Sequence, residues 1–406
     1  MTMLQTPDYE TARDLLLSRV EPVEAEEIPL EEAAGRILAA DLTAEEDVPP
    51  FDRSPYDGYA FRSADTAEAS REHPVTLAVT EGIAAGQVPS KPVPPGTAAR
   101  VMTGAPIPEG ADAVCMFEKT VFTEAEVTLF AAFRPGENIV RQGEDVRRGA
   151  VLARAGDPID AGTAGTLAAQ GIARPSVRRR IRVGLISTGD EVTEVDAPAE
   201  PGKIRNSNRY TLTAALARAG AEPVWLGLAG DDTERIAALI REGARRCDAL
   251  VLTGGVSVGD FDLTPAAMDA AGCETLFRGA AIKPGMACAY GMLAGRPVCA
   301  LSGNPASSLT NFYVIALPAL KKLAGCREPV PAPITVTLRD GFGKKSPAVR
   351  FLRGRLDLTD GTARMALPAD QGNVVLSSGI GCDVMAVVPA GSGKLEAGTA
   401  LKGFLL

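Results

Sequence analysis

Between residues 181 and 325 the chain alternates short apolar runs with helical patterns, and this restricts its fold more than any other feature. Residues 181–186, 223–228, 249–252 and 297–301 are apolar runs of strand length. Between and after them lie segments of helical period. These are 209–219, closed by Gly220; 233–246, with Ile236, Leu239, Ile240 and Ala244 on one face; 264–271; and 306–323, ended by Gly325. Such alternation predicts a mostly parallel sheet with helices on both faces. Ligands of open α/β sheets sit in the crevice beyond the carboxyl ends of the strands. The loops after these strands are therefore the first place to look for chemistry.

Four such loops are polar in the same way. The richest is LTGGVSVGDFD (252–262), with Gly254, Gly255 and Gly259, the hydroxyls of Thr253 and Ser257, and the carboxylates of Asp260 and Asp262. Glycines let backbone N–H groups approach an anion closely. Carboxylates beside an anion point to a hard cation such as Mg²⁺. STGDE (187–191), GDD (230–232) and SGNPASS (302–308) are built alike, each able to aim donors at an anion. Glu191 and Asp231 add carboxylates to the same edge. Taken singly, several of these residues have plainer readings. Asp231 or Asp232 can cap the helix that follows, and Asn304 can be a turn residue before Pro305. Lys283 in AIKPG is either a surface lysine or a point-charge partner for phosphate. Asp57, followed by Gly58 in RSPYDGYAFR (53–62), reads as a turn aspartate by spacing alone. Thr103-Gly104 forms another Gly/Pro-rich loop, and Glu144-Asp145 a third acidic turn.

The rest of the chain reads more simply. Residues 8–20 and 30–40 have helical spacing. Residues 53–137 read as strands and turns of a small β-rich domain, and residues from about 328 onward as a C-terminal β domain. The basic run RRRIR (178–182) marks a boundary and reads as a solvated linker or strand edge.

Composition removes several function classes. A formal net charge of −9 and only 5% aromatic residues disfavour nucleic-acid and anionic-membrane binding, so an anionic ligand must be captured by local donors. The single histidine, His73, lies in a polar stretch and is read as a loop residue, which leaves no Ser-His-Asp or His-metal chemistry. The seven cysteines form no CxxC pair and read as small buried hydrophobes of a reducing compartment. With no signal-peptide pattern and no apolar run of membrane-spanning length, the expectation is a cytoplasmic protein. Chemistry is left to carboxylates, hydroxyls, lysines, a metal or the substrate itself.

Nine segments together resemble the molybdopterin molybdenumtransferase family, which includes the E domain of gephyrin. They are PPFDRSPYDGYAFR (49–62), RVMTGAPIPEGADAVC (100–115), RQGEDVRRG (141–149), ISTGDE (186–191), SNRYTL (207–212), GDD (230–232), TGGVSVGDFD (253–262), IKPG (282–285) and LSGNPASS (301–308). They follow the family's order and cover essentially the whole chain. The resemblance implies a multidomain α/β protein in four parts. These are a discontinuous stalk (1–47 and 140–178), an inserted β-rich domain (48–139), an α/β molybdopterin-binding domain (179–327) and a β-barrel-like C-terminal domain (328–406). It implies an elongated homodimer whose active site joins the α/β domain of one subunit to the loops around Asp57 and Thr103 of the other. The implied reaction inserts molybdate or tungstate into adenylylated molybdopterin, releases AMP and is assisted by Mg²⁺ or another divalent cation. Molybdopterin adenylyltransferase is the implied upstream donor. Such a substrate carries its own dithiolene and phosphoanhydride, so no histidine or cysteine nucleophile is needed.

By the same resemblance the catalytic set is Asp57, Thr103, Glu191, Asp231 and Asp260, with Asp231, Asp260 and Asp262 at the cation. Substrate contacts fall on Thr188, Gly189, Ser207, Gly254, Gly255, Ser257, Lys283, Ser302 and Asn304. Arg350, Arg353, Ser377 and Ser378 border the cleft. Two departures stand out. Many members read SAMDGYA where this chain has SPYDGYA (54–60), and many have lysine where this chain has Met286, which leaves Arg205 as a candidate replacement cation. The alternatives are an adenylyltransferase-type step, against which segments 49–62 and 100–115 speak, and a non-catalytic pterin-binding scaffold, which has no need of acids at 57, 231 and 260.

Overall fold

The computed structural model describes residues 3–257, 262–359 and 361–406. The chain forms two compact units: Met1–Ala40, Ala155–Ala161 and Arg174–Leu406 in the first, Asp41–Arg154 and Gly162–Ala173 in the second.

The first unit is built on a seven-stranded sheet. Its order is Leu4–Gln5, Glu274–Arg278, Cys288–Leu293, Arg296–Leu301, Ala249–Thr253, Arg182–Thr188 and Glu222–Ala229. The last four strands are mutually parallel, as the alternation predicts. They are apolar on both faces because helices cover both. Leu212 and Leu216 of helix Ser207–Arg218 and Phe312 and Ile315 pack with Leu185, Val251 and Cys299 on one side. Ile236, Leu239 and Ile240 of helix Thr233–Arg246, with Met268, pack with Ile186, Leu250, Leu252 and Ala300 on the other. Thr188 pairs with Ala229, Ser187 with Thr253, and Thr253 with Leu301. The carboxyl ends of four strands are therefore level, and all four polar loops leave from one edge.

Two strands lie outside the expected alternation, and two expectations need correction. The antiparallel strands Glu274–Arg278 and Cys288–Leu293 carry no clean period, because glycines and prolines interrupt this stretch. One of these, Gly291, is required by the pairing: a Cβ there would stand 2.7 Å from the Glu274 carbonyl oxygen. Residues 30–40 are not a helix. Only Leu30–Glu32 makes a 3₁₀ turn, Gly35 takes φ +72°, and Ile37 and Leu38 bridge to Pro158 and Val177. Pairing with distant backbone outcompetes a short amphipathic helix whose Gly35 costs entropy. The run 306–323 is helical but not uniform: α-helix Pro305–Asn311, a π-turn Phe312–Ala316, then α-helix Leu317–Leu323. Pro318 has no N–H for a regular bond, and the widened turn precedes it. The basic run at 178–182 spans the end of strand Ser176–Arg178, a three-residue link and the start of strand Arg182–Thr188. Its Arg179 makes two 2.7 Å bonds to Asp248 and a third to Glu24.

The C-terminal part is a closed barrel. Strand Val349–Asp357 pairs with Arg364–Ala366, then Ile334–Leu338, Ala400–Leu405 and Val384–Val388, which returns to Val349–Asp357. Val336, Leu352, Met365, Ala386 and Leu401 fill it. Ile282–Lys283, from the α/β part, adds to its edge with Ile282 opposite Val349 and Lys283 opposite Arg350. This short pairing, with the Ala306 N–H bonded to the Asn373 carbonyl at 3.1 Å, couples barrel and α/β part at the site.

The second unit is a six-stranded sheet ordered Ala113–Met116, Gly58–Phe61, Thr97–Val101, Val75–Ile83, Glu126–Leu129 and Thr120–Phe122. This is the β-rich character expected of residues 53–137. Tyr59, Phe61, Leu77, Val127 and Leu129 form its core. Gly58 pairs with Val101, so the residues just outside those strand ends, Asp57 and Thr103, are held close together.

Candidate active site

Beyond the level strand ends lies a cavity of about 470 Å³, walled by the loops that begin at Ser187, Thr253 and Ser302 and by the start of helix Ser207–Arg218. Two glycines shape its floor. Gly254 takes φ +103°, and a Cβ there would lie 2.5 Å from the Thr188 carbonyl oxygen. Gly255 takes φ +61°, with Thr264 Oγ1 at 2.8 Å from the same imagined atom. Thr264 fastens the turn, donating its hydroxyl to the Gly254 carbonyl at 2.8 Å and its N–H to the Gly255 carbonyl at 2.9 Å. The Ser257 N–H donates to Asp262 Oδ1 at 2.8 Å. Thr188, Glu191, Ser207, Gly254, Gly255, Ser257, Asp262, Ser302 and Asn304 all line this one cavity. Gly189 does not. It takes φ +125°, and the Glu191 carboxylate folds back against it where a side chain would stand.

Two asparagines of this cavity had not been singled out. Asn206 caps helix Ser207–Arg218: its Oδ1 accepts from Arg209 N at 3.2 Å and from Ser187 Oγ at 3.1 Å. Asn208 Nδ2 donates to the Gly303 carbonyl at 2.8 Å. Asn206 Nδ2 and Asn208 Oδ1 are buried without a partner among the described residues, an expensive condition unless water or ligand satisfies them. A capping asparagine before a helical run is a legible sequence signal, but its use as a cavity wall is not.

A second cavity of about 630 Å³ adjoins the first and shares Ser257, Ser302 and Asn304 with it. Among the described residues its charged lining is Lys283, Lys344 and Arg350, with no carboxylate. Arg350 is buried. Its Nε donates to Ser346 Oγ at 2.9 Å, its guanidinium stacks on Phe342, and burial lowers its pKa. A buried cation facing a cavity favours an anion there. Gln371, Gly372 and Asn373 form a further wall, held by Arg353, the largest fully buried side chain. Arg353 Nη2 donates to Ser378 Oγ at 2.8 Å and to the Gly372 carbonyl at 3.3 Å, and its N–H to Gln371 Oε1 at 3.1 Å.

Other candidates fall elsewhere. Asp232, not Asp231, caps helix Thr233–Arg246, accepting from Arg235 N at 3.0 Å. Asp231 lines neither cavity, and its N–H donates to Asp190 Oδ1 at 3.1 Å. Ser377 is exposed in the turn Leu376–Gly379 and lines neither cavity, while its neighbour Ser378 is buried against Arg353. Met286 lines the second cavity; Arg205 lines the first, where its Nη1 donates to the Glu194 and Ala197 carbonyls. Gly259 and Asp260 lie outside the described residues. In the second unit, Asp57 Oδ1 accepts from Thr103 N at 2.6 Å and from Thr103 Oγ1 at 2.8 Å, and these bonds hold the carboxyl below its usual pKa. No cysteine lines either cavity, and burial pushes the Cys288 thiol up to about 12.

An open α/β edge, with an acid-bearing cavity beside one whose described charged lining is cationic, is the architecture of a protein that binds anionic organic ligands. Comparison with known proteins narrows it. Residues 8–171 match the family model "MoeA N-terminal region (domain I and II)", residues 184–322 "Probable molybdopterin binding domain", and residues 335–404 "MoeA C-terminal region (domain IV)". A Bacillus subtilis protein named molybdopterin molybdenumtransferase is 38% identical over 94% of this chain and 90% of its own length. A Staphylococcus aureus protein of the same name is 38% identical over 91% of this chain and 88% of its own. The crystal structure of a molybdopterin biosynthesis moeA protein from Pyrococcus horikoshii OT3 superposes with a TM-score of 0.86 at 31% identity, covering 99% of this chain and 100% of that one. The chain belongs to the molybdopterin molybdenumtransferase family.

Proposed function

We propose that this chain is an enzyme of molybdenum cofactor biosynthesis that inserts the metal of molybdate or tungstate into adenylylated molybdopterin and releases AMP. The adjoining, at Ser257, Ser302 and Asn304, of an acid-bearing cavity and one whose charged lining among the described residues is cationic carries the reading. It suits a substrate with a phosphoanhydride at one end and an oxyanion to be delivered at the other. The backbone N–H of Gly255 and the hydroxyls of Thr188, Ser257 and Ser302 are the donors to phosphate oxygens, while the Gly254 N–H is held by the Leu301 carbonyl. Lys283 and Arg350 hold the oxyanion by charge. Asp57 and Thr103 are proposed to complete the site from a second copy in a homodimer, and molybdopterin adenylyltransferase to supply the substrate in the cytoplasm.

Mg²⁺ is the proposed assisting cation. Among the described residues no group of three or more His, Cys, Asp or Glu side chains forms a cage. Glu191 and Asp262 line the first cavity, and one or two carboxylates plus substrate phosphates are a common Mg²⁺ arrangement. The residues present thus fit a cation brought in with the substrate; when bound, it offsets charge on the phosphoanhydride as AMP departs. The test is to mix purified protein with adenylylated molybdopterin, Mg²⁺ and molybdate or tungstate, and to follow AMP release and metal insertion. Absence of oxyanion-dependent AMP release would sink the proposal.

A further inference from the structure

The second cavity holds more positive charge than the reading above uses. Among the described residues Lys283, Lys344 and Arg350 line it and no Asp or Glu does. Three like charges around one cavity repel each other, and an anion among them relieves that repulsion. Lys344 is not a lysine on a loose loop. Two residues before it, Phe342 exchanges backbone bonds with Leu395 at 2.8 and 3.0 Å. Two residues after it, the fully buried Ser346 donates its N–H to the Ser392 carbonyl at 2.8 Å and accepts Arg350 Nε on its hydroxyl. Arg350, itself a wall of the cavity, thus fastens the segment that carries Lys344. The next residue, Lys345, does not line the cavity.

Met286 lines the same cavity with an uncharged thioether, and its side chain is exposed. Arg205 cannot stand in for a cation at that wall, because it lines the other cavity and its guanidinium is engaged by the Glu194 and Ala197 carbonyls.

We propose that Lys344 is an anion ligand of this cavity: with Lys283 and Arg350 it binds a doubly charged tetrahedral oxyanion, supplying the charge that Met286 does not. The inference rests on the proposed anion-holding role of the cavity and names a ligand that role had not included. The same chemistry could belong to free molybdate or to a phosphate of the substrate.

The experiment titrates the full-length protein by calorimetry with molybdate, tungstate and, separately, inorganic phosphate. K344M is expected to weaken binding roughly tenfold, the size of one charge-assisted hydrogen bond. K344R should stay near wild type and K345M should match it. Adding M286K to K344M should restore binding, since the new ammonium faces the same space. A loss confined to molybdate and tungstate assigns the site to the free oxyanion, and one confined to phosphate assigns it to the substrate's phosphate; either supports the ligand role. K344M that binds every anion as wild type does overturns the inference while leaving the cavity's role intact. A wild-type protein that binds none of the three anions overturns both. The M286K rescue also guards against a folding artefact, because a misfolded K344M protein would not be repaired by a charge at 286.

Discussion

Replacing Gly254 by alanine tests the site at its most constrained point. The residue is held from three sides. Its N–H donates to the Leu301 carbonyl at 3.1 Å, its carbonyl accepts the Thr264 hydroxyl at 2.8 Å, and its Cα faces the neighbouring strand end. A methyl group would stand 2.5 Å from the Thr188 carbonyl oxygen and 2.6 Å from Thr188 Oγ1. Two costs add. Placing an L-residue at φ +103° costs about 1–2 kcal/mol. Forcing the overlap costs about 1–3 kcal/mol in backbone displacement. The sum is about 2–5 kcal/mol if the fold absorbs it. If the loop yields instead, the two hydrogen bonds break at about 1 kcal/mol each, and the floor of the first cavity moves. Either way G254A loses at least about 2 kcal/mol. Trp225, the only tryptophan, lies in strand Glu222–Ala229 of the same sheet under the Arg209 guanidinium, so its fluorescence in a urea titration reports this unit. The control is G303A at the same edge, where among the described residues the added Cβ meets only Gly254 Cα at 3.5 Å; it should stay within about 0.5 kcal/mol of wild type. A G254A protein with the wild-type urea midpoint and undiminished AMP release would falsify the claim that this glycine is required by close backbone approach.

Two other perturbations follow from the same kind of reasoning. Asp57 is held below its ordinary pKa of 3.8 by the Thr103 N–H first and the Thr103 hydroxyl second. Its contribution is therefore complete above that value and lost as pH falls through the lower folded-state pKa. The stability difference between wild type and D57N should be constant from pH 8 to pH 5 and shrink in more acid solution; a gap that widens toward acid contradicts this. D57A should also reduce AMP release by roughly tenfold or more if the residue acts on substrate or its water. Gly165 is exposed within helix Ala161–Ala169, and a Cβ there meets nothing within 4 Å. G165A should raise stability by about 0.5–1 kcal/mol, read as a higher melting temperature.

Much of the fold was legible because it is written in local pattern. The helices Thr233–Arg246 and Thr264–Ala271 fall where their periods put them, and the four parallel strands match their apolar runs. Once those strands are parallel and level, the loops after them must share one edge, which is why Thr188, Glu191, Gly254, Ser257, Ser302 and Asn304 meet in one cavity. The strands at Glu274–Arg278 and Cys288–Leu293 escaped because close strand approach demanded glycine where a pattern demands side chains. Residues 30–40 misled because an amphipathic spacing says nothing of the distant backbone that competes for the same hydrogen bonds.

The sequence by itself determined the α/β core, the polar edge, the β character of the flanking regions and the family, since these follow from residue spacing and motif order. Only the tertiary structure decided which charges stand together. Lys283 and Arg350 are neighbours because two residues of the α/β part add to a barrel strand, and Lys344 joins them because Arg350 fastens its segment through Ser346. The choice of Asp232 over Asp231 as helix cap was likewise settled by which carboxylate reaches the Arg235 N–H. Periodicity records how a segment buries its own face. Register between distant segments is set by long-range backbone pairing, and no local pattern carries it.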